Sequence, residues 1–287
     1  MLEIKEHHSP SRGFFISADK LFEAQSKFQK IQLFQHDFYG KILRLDDYFQ
    51  LSEFDEFLYH EPLIHFPLFS HPNPKNILII GGGDFCSLRE IIKHPVERVT
   101  LVELDPEVVE ISKKHLNDIN KNSFQDPRLN LIIQDGFDFL KTTKEKFDII
   151  ILDLTDAVGE SKKLYTQDFY ELISNKLDPK GILSLHLEQP LTYPKTFSRI
   201  YTTLKSVFKY LEIHSTFVPI YGTLISFGLA SQDLNFKTLN LKENILDLKY
   251  FSPEIFKSAL TTPKYLQDIA NSDKRVITSQ DPLEDLA

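Results

Sequence analysis

The run Ile77-Leu78-Ile79-Ile80, followed at once by Gly81-Gly82-Gly83-Asp84, limits what this chain can fold into more than any other stretch. Four consecutive aliphatic residues have no polar face, so a strand made of them is buried on both sides, and glycines directly after it let the backbone turn into a helix. The alternation then repeats. A helix is expected over residues 87–93, a strand over 99–104, and a helix over 106–116 with Pro106 in its first turn. A strand over 129–133, a helix over 136–142, a strand over 147–154, a helix over 166–176 and a strand over 181–187 follow, with further elements to about Ser231. Short apolar strands alternating with amphipathic helices predict an α/β fold, a Rossmann-like, mostly parallel sheet covered on both faces. Ligands in such sheets bind outside the carboxyl ends of the strands, so the residues just after each strand are where chemistry is sought.

The first quarter of the chain reads differently. FFISADKLFEAQ, KFQKIQLFQH and GKILRLDDYFQLS, between residues 14 and 52, show period-two apolar spacing broken by Gly40 and by Asp46-Asp47, the pattern of antiparallel hairpins. From 53 to 69 the apolar residues Phe54, Phe57, Leu58, Leu63, Ile64, Phe66 and Leu68 follow helical spacing despite Pro62 and Pro67, and HPNPK at 71–75 has a linker's composition. The expected organisation is a small N-terminal antiparallel β domain with a closing helix over 1–70 and a Rossmann-like catalytic domain over 71–287.

A formal charge of -8 disfavours a nucleic-acid partner. No stretch reaches the roughly 18 consecutive apolar residues of a membrane span, and MLEIKEHHSPSR has no apolar leader core. A single cysteine, Cys86, forms no intrachain disulfide, so a cytoplasmic protein is expected. His7, His8 and the other histidines are scattered without metal-ligand spacing, and no metal is expected.

The strand ends supply two sets of candidates. The Gly81-Gly82-Gly83-Asp84 turn opens a helix whose free N–H groups suit a ligand, although such a turn is as often only a tight reversal, and Phe85-Cys86 break the spacing of a pyrophosphate loop. Glu103 ends the second strand about 20 residues further on, where an acidic residue accepts hydrogen bonds from ribose hydroxyls. Asp135 and Gly136 follow the third strand, and a carboxylate there suits the adenine amino group. Together these strand ends describe an adenosine pocket without a phosphate cradle, unless Glu103 and Asp135 are simply solvated strand-end or capping residues. The fourth strand ends Asp153-Leu154-Thr155-Asp156. With Asp84 these carboxylates make an anionic cluster that is costly unless it receives cations, and amine substrates supply them. An amine attacking a sulfonium must lose a proton, so one carboxylate serves as general base while others hold a distal ammonium.

At this point the residues resemble the spermidine synthase family over nearly the whole chain. The matching stretches include FQKIQLF, GKILRLDDYFQLSEFDEFLYHE, SHPNPKNILIIGGGD, VTLVELDPEVVEISKKHL, DPRLNLIIQDGFDFL, FDIIILDLTDAVG, LYTQDFYELI and LKYFSPEIFKSALTTPKYL. The resemblance implies an aminopropyltransferase that moves an aminopropyl group from decarboxylated S-adenosylmethionine, a co-substrate, to putrescine without further cofactor, and that assembles as a homodimer or homotetramer. It carries Gln29, His60, Asp84, Glu103, Asp135 and Gly136 over as donor-binding residues, Asp153 as the general base, and Tyr59, Asp156 and Tyr221 as residues that hold the acceptor amine. Gln50 is expected to shape the acceptor pocket, and residues 157–164 to form a loop that closes over the substrates. The chain departs from the family pattern near the reacting centre. Phe85-Cys86 replace the last two glycines of GGGDGG, the loop reads DLTDAVGES without its two prolines, and a P-T-Y-P-S-G turn reads Pro219-Ile220-Tyr221-Gly222-Thr223. A different amine acceptor, a methyltransferase using ordinary S-adenosylmethionine and a non-catalytic polyamine or nucleoside binder are the alternatives.

Overall fold

The computed structural model describes residues 1–9, 11–157, 159–241 and 246–284. Strands β1 (Leu2–Ser9), β2 (Arg12–Gln25), β3 (Lys30–His36), β4 (Gly40–Leu45) and β5 (Tyr48–Ser52) form one antiparallel sheet in sequence order. The β4–β5 turn carries positive φ at both Asp46 and Asp47 (45° and 72°), the left-handed pair that tight hairpins use. Strand β1 lies ahead of the stretch in which hairpins were expected. Its inward side is Ile4, Glu6 and His8, so the alternation is present but two of the three buried positions are polar, and no apolar period marks it.

Helix α1 (Phe57–Ser70) is buried around nearly its whole circumference, and Pro62 and Pro67 lie inside it. It was expected to close the N-terminal sheet. It packs instead on helix α2 (Cys86–Ile91) and on one face of the larger sheet, so by packing it belongs with the second unit. The Glu61 carboxylate, buried in α1, accepts the backbone N–H groups of Lys249, Tyr250 and Phe251 at 2.9, 2.7 and 2.9 Å and so ties the later chain to this helix.

The larger sheet comprises β6 (Asn76–Gly81), β7 (Arg98–Glu103), β8 (Leu129–Ile133), β9 (Phe147–Asp153), β10 (Leu177–Glu188), β11 (Tyr210–Val218) and β12 (Thr223–Ser231) in the order β11-β12-β10-β9-β6-β7-β8. Strands β10, β9, β6, β7 and β8 run parallel, and β12 is antiparallel to both its neighbours. Helices α3 (Pro106–His115), α4 (Asn117–Asn120), α5 (Gly136–Thr142), α6 (Gln167–Lys176) and α7 (Pro194–Val207) connect the strands, and α8 (Pro253–Ala259) and α9 (Lys264–Ala270) follow. The aliphatic strands divide by parity: Ile77, Ile79, Ile149 and Ile151 join the core beneath α1, while Leu78, Ile80, Ile150 and Leu152 join the core with Phe169, Tyr170 and Phe197 of α6 and α7. From β6 the chain winds one way to β7 and β8, then returns to the other side with β9 and β10, so β6 and β9 flank the topological switch point where such sheets open a crevice. Among the described residues no helix is long and apolar enough to cross a membrane.

Candidate active site

A cleft of about 590 Å³ opens at that switch point, within the size range of small-molecule sites. All the residues singled out in the sequence border it: Gln29, Gln50, Tyr59, His60, Asp84, Glu103, Asp135, Gly136, Asp153, Asp156 and Tyr221. Two glycines shape its floor, and at Gly81 the residue is obligatory. Gly81 has φ +84°, and a Cβ there would stand 2.0 Å from the Asp153 carbonyl oxygen; at Gly83 a Cβ would meet Glu103 Oε2 at 2.8 Å.

At one end lie the carboxylates that follow β7 and β8. Glu103 accepts the Gly83 N–H at 3.1 Å and the Asp105 N–H at 2.9 Å, and burial raises its carboxyl to about 7. Asp135 caps α5 by accepting from Phe137 and Asp138, and its other oxygen lies 2.8 Å from Lys163 Nζ. Gln29 donates its side-chain amide to Asp105 at 3.0 Å.

In the centre, one ring nitrogen of His60 and one carboxylate oxygen each of Asp84 and Asp153 lie within 4.8 Å of one another. Asp84 accepts the Cys86 N–H at 2.7 Å, and Asp153 accepts the Ser87 hydroxyl at 2.6 Å. Burial raises Asp153 to about 6 and Asp84 adds to the rise, while His60 and the Ser87 and Tyr59 hydroxyls oppose it. Burial works against a charge on His60, but the Glu56 hydrogen bond and the charges of Asp84, Glu56 and Asp153 outweigh it and hold the ring at about 9.

The far end is more acidic than the sequence suggested. One carboxylate oxygen each of Asp156 and Glu188 and one ring nitrogen of His186 lie within 4.8 Å of one another. Burial raises both acids, Glu188 to about 7 and Asp156 well above its ordinary range, with Glu188 and Glu6 pushing Asp156 further. Glu188 Oε1 accepts the Ala157 N–H at 2.7 Å, whereas Glu188 Oε2 and Gln189 Oε1 are buried with no hydrogen-bond partner among the described residues. His186, which burial lowers to about 4, is neutral and joins Tyr59 and Tyr165 through its two ring nitrogens at 3.2 and 3.1 Å. Tyr221 donates its hydroxyl to the Gln50 carbonyl at 2.5 Å, and the turn that carries it is pinned by the Ile220 N–H donated to Asp55 at 2.7 Å.

The three departures from the family pattern are resolved in different ways. Phe85 does not border the cleft. Its ring is fully buried, 5.5 Å from that of Phe124, and its backbone is left-handed at φ 66°, the conformation that makes glycine the easy residue there. Cys86 is also fully buried, and burial raises its thiol well above the ordinary range. In the DLTDAVGES segment, Val158 lies outside the described residues; Gly159–Tyr165 forms a 3-10 helix whose Gly159, Ser161, Lys163 and Leu164 border the cleft. The third departure, at Pro219-Ile220-Tyr221, keeps Tyr221 on the cleft wall.

Sequence reasoning missed Glu6, Ser87, Lys163, His186, Glu188 and Gln189. Glu188 carried a usable signal, since it ends β10 as Asp153 ends β9. Glu6 carried none, because it arrives on the unrecognised β1.

A profile of the spermine/spermidine synthase domain matches residues 56–242, and one of the spermidine synthase tetramerisation domain matches residues 4–53. The polyamine aminopropyltransferase of Nitrosomonas europaea is 34% identical over 288 residues, covering 97% of this chain and 89% of that protein. That of Sulfolobus acidocaldarius is 38% identical over 274 residues, covering 92% and 91%. Among solved structures, a spermidine synthase in complex with the transition-state analogue AdoDATO is 31% identical with a TM-score of 0.90, covering 95% of this chain and 96% of that one. The spermidine synthase of Thermotoga maritima is 30% identical with a TM-score of 0.89 and 95% coverage of each chain.

Proposed function

The chain belongs to the spermine/spermidine synthase family, and from that premise we propose that it moves the aminopropyl group of decarboxylated S-adenosylmethionine onto a diamine, putrescine first among them, with no further cofactor. One observation carries the reading: Asp84, Asp153 and Asp156 border the same cleft as Glu103 and Asp135. In this reading Glu103 takes the ribose hydroxyls, Asp135 the adenine amino group, and Gln29 and Gly136 complete the nucleoside end. Asp84 pairs with the aminopropyl ammonium, with His60 beside it. That pairing also selects the donor, because the carboxylate of ordinary S-adenosylmethionine would face Asp84 with like charge.

At the reacting centre Asp153 accepts a proton from the acceptor amine. The freed nitrogen lone pair attacks the methylene carbon next to the sulfonium. The new C–N bond forms as the C–S bond breaks, its electron pair returns to sulfur, and methylthioadenosine leaves. The work is positioning and proton removal, with the 3-10 segment acting as the cover that excludes water. Tyr59 and Tyr221 line the acceptor channel over Gln50, while Asp156 holds the distal ammonium together with the unpartnered oxygen of Gln189, and Glu188 stands behind Asp156 without bordering the cleft.

Incubating the protein with decarboxylated S-adenosylmethionine and a series of diamines should release methylthioadenosine, fastest with putrescine. Absence of product across the series, or tighter binding of the carboxylated nucleoside by calorimetry, rejects the reading. The N-terminal sheet is assigned to assembly as a homotetramer or homodimer, supported by the tetramerisation profile over residues 4–53 and by exposed Leu2, Phe15 and Leu21 on β1 and β2. Light scattering that gives a monomer mass would reject that assignment.

A further inference from the structure

Behind the reacting centre a line of buried charged side chains runs from His60 into the α1–α2 contact. His60 Nδ1 lies 2.8 Å from Glu56 Oε2 and 2.9 Å from the Glu56 carbonyl. The same Glu56 oxygen accepts from Arg89 Nη2 at 2.7 Å. Arg89 is fixed at two further points, through Nε to Glu90 Oε1 and through Nη1 to the Ile119 carbonyl, each at 2.7 Å. Glu90 in turn meets His65 and Lys93, and His65 meets His94. Glu56 occupies the N-cap position of α1, yet its carboxylate makes no capping bond and turns inward to His60 and Arg89. A buried acid that does not serve its own helix end needs another reason, because a buried ion pair is weak support for stability compared with apolar packing.

His60 supplies that reason. With Nδ1 committed to Glu56, the ring nitrogen left to serve Asp84 and Asp153 is Nε2, and one nitrogen of the ring lies within 4.8 Å of an oxygen of each carboxylate. We propose that Glu56 and Arg89 are positioning residues of the transfer reaction: Arg89 clamps the Glu56 carboxylate, Glu56 takes the Nδ1–H of His60, and His60 is thereby held as a cation between Asp84 and Asp153 that keeps the base carboxylate ionised. The assignment rests on the aminopropyl-transfer reading of the cleft. The electrostatics agree with the geometry, since Glu56 contributes the leading rise that holds His60 at about 9, and His60 opposes the rise of Asp153. The titratable groups around His60 are Glu56 and Tyr59 of α1, Cys86 and Arg89 of α2, Asp84 before α2, Asp153 of β9 and Tyr221 of the turn after β11. Burial keeps Tyr59, Tyr221 and Cys86 neutral, and Arg89 stays charged, so the acid limb reports Asp153, with His60 losing its proton only at higher pH.

The test compares Glu56→Gln with the unsubstituted enzyme in two ways. The first is kcat/KM against pH, which reports the free enzyme. The amide removes the anion that charges His60, so the acid limb should move up by roughly one pH unit, with a loss of about tenfold below it, and the two profiles should approach each other above about pH 9, where His60 is neutral in both. The second is the nitrogen-15 spectrum of the histidines, with His60 assigned by His60→Gln. At pH 7 the unsubstituted protein should show both His60 nitrogens protonated, and Glu56→Gln only one. A uniform loss at every pH with an unchanged His60 spectrum would make Glu56 merely structural and overturn the proposal. Should Glu56→Gln fail to fold, a neutral His60 at pH 7 in the unsubstituted protein overturns it without any variant. If no amine yields methylthioadenosine, the reaction reading falls while the spectra still decide whether Glu56 sets the charge of His60.

Discussion

Ser87, in the first turn of α2, donates its hydroxyl hydrogen to Oδ2 of Asp153, the last residue of β9, across 2.6 Å. The absent side chain of Gly82 leaves room for that oxygen, since a Cβ there would stand 3.0 Å from it. Tyr59 also hydrogen-bonds this carboxylate, which borders the cleft where it can take a proton from an attacking amine. The carboxyl sits at about 6, so it is mostly ionised at neutral pH and still basic enough to accept. Asp153→Asn should therefore lower kcat by about 10²- to 10⁴-fold while methylthioadenosine binding, followed by calorimetry, stays within a few-fold. Equal loss of both would end its role as base. Ser87→Ala removes a bond to the ionised form, so the acid limb of kcat/KM should move to higher pH.

Phe85 stores strain in a place where its ring gains packing. A left-handed non-glycine backbone costs about 1–2 kcal/mol, and truncating a fully buried Phe to Ala costs about 3–5 kcal/mol. Phe85→Ala keeps the strain and loses the packing, whereas Phe85→Gly loses both. Urea denaturation should therefore find the glycine variant more stable than the alanine variant although it has one carbon fewer. Since the ring does not border the cleft, both folded variants should bind methylthioadenosine as the parent does. The reverse order of stabilities would contradict the left-handed assignment.

The parts of this protein that were readable in the sequence are those that local rules determine. The parallel strands announce themselves because burial on both faces leaves aliphatic runs, and the strand-end rule then picks out Asp84, Glu103, Asp135 and Asp153 without any knowledge of packing. Helix α1 was readable as a helix but not in its placement, because a helix buried on nearly every side has no apolar stripe to point toward a partner. Glu6 was invisible because β1 turns two polar residues inward, where His8 at 3.1 Å and the Phe49 N–H at 2.6 Å hold its carboxylate, contacts that no apolar period announces. The direction of Phe85 was equally hidden, since a side chain's aim from a left-handed residue depends on the turn built around it and on Phe124 waiting to receive it.

Glu188 combines a rare backbone with an unpartnered oxygen. It has φ 85° at an irregularity in the β10–β12 pairing, it is fully buried, and its Oε2 lacks a hydrogen-bond partner among the described residues. Such strain persists where the surroundings over-determine it, often at a functional site. Burial raises both carboxyls, Asp156 well above its ordinary range and Glu188 to about 7, so Glu188 is partly protonated near neutrality. An arriving ammonium replaces that proton, so acceptor binding should release it and should strengthen as pH rises from about 6 to 8. Calorimetry in buffers of different ionisation enthalpy measures the release directly. Glu188→Gln should abolish it and raise KM for the acceptor by about tenfold or more, with methylthioadenosine affinity retained. A parallel loss of nucleoside affinity would reduce Glu188 to an anchor for Ala157.

Lys163 reaches from the 3-10 segment to Asp135, the carboxylate assigned here to the adenine amino group, at 2.8 Å. The lysine ammonium and the adenine amino group compete for the same acceptor, and Lys163 holds Asp135 below its ordinary range despite the opposing effect of burial. The lysine side chain is 44% exposed, so the pair is a modest one and is screened by salt. Two consequences follow from the competition. Lys163→Met should tighten methylthioadenosine binding by about two- to fivefold, since an exposed pair of this kind is worth roughly 0.2–1 kcal/mol. Raising salt should strengthen nucleoside binding to the parent by weakening the pair, and should leave the variant nearly unaffected. Weaker binding in Lys163→Met, with the salt dependence unchanged, would mean that the lysine stays in place beside the bound nucleoside and supports it rather than yielding to it.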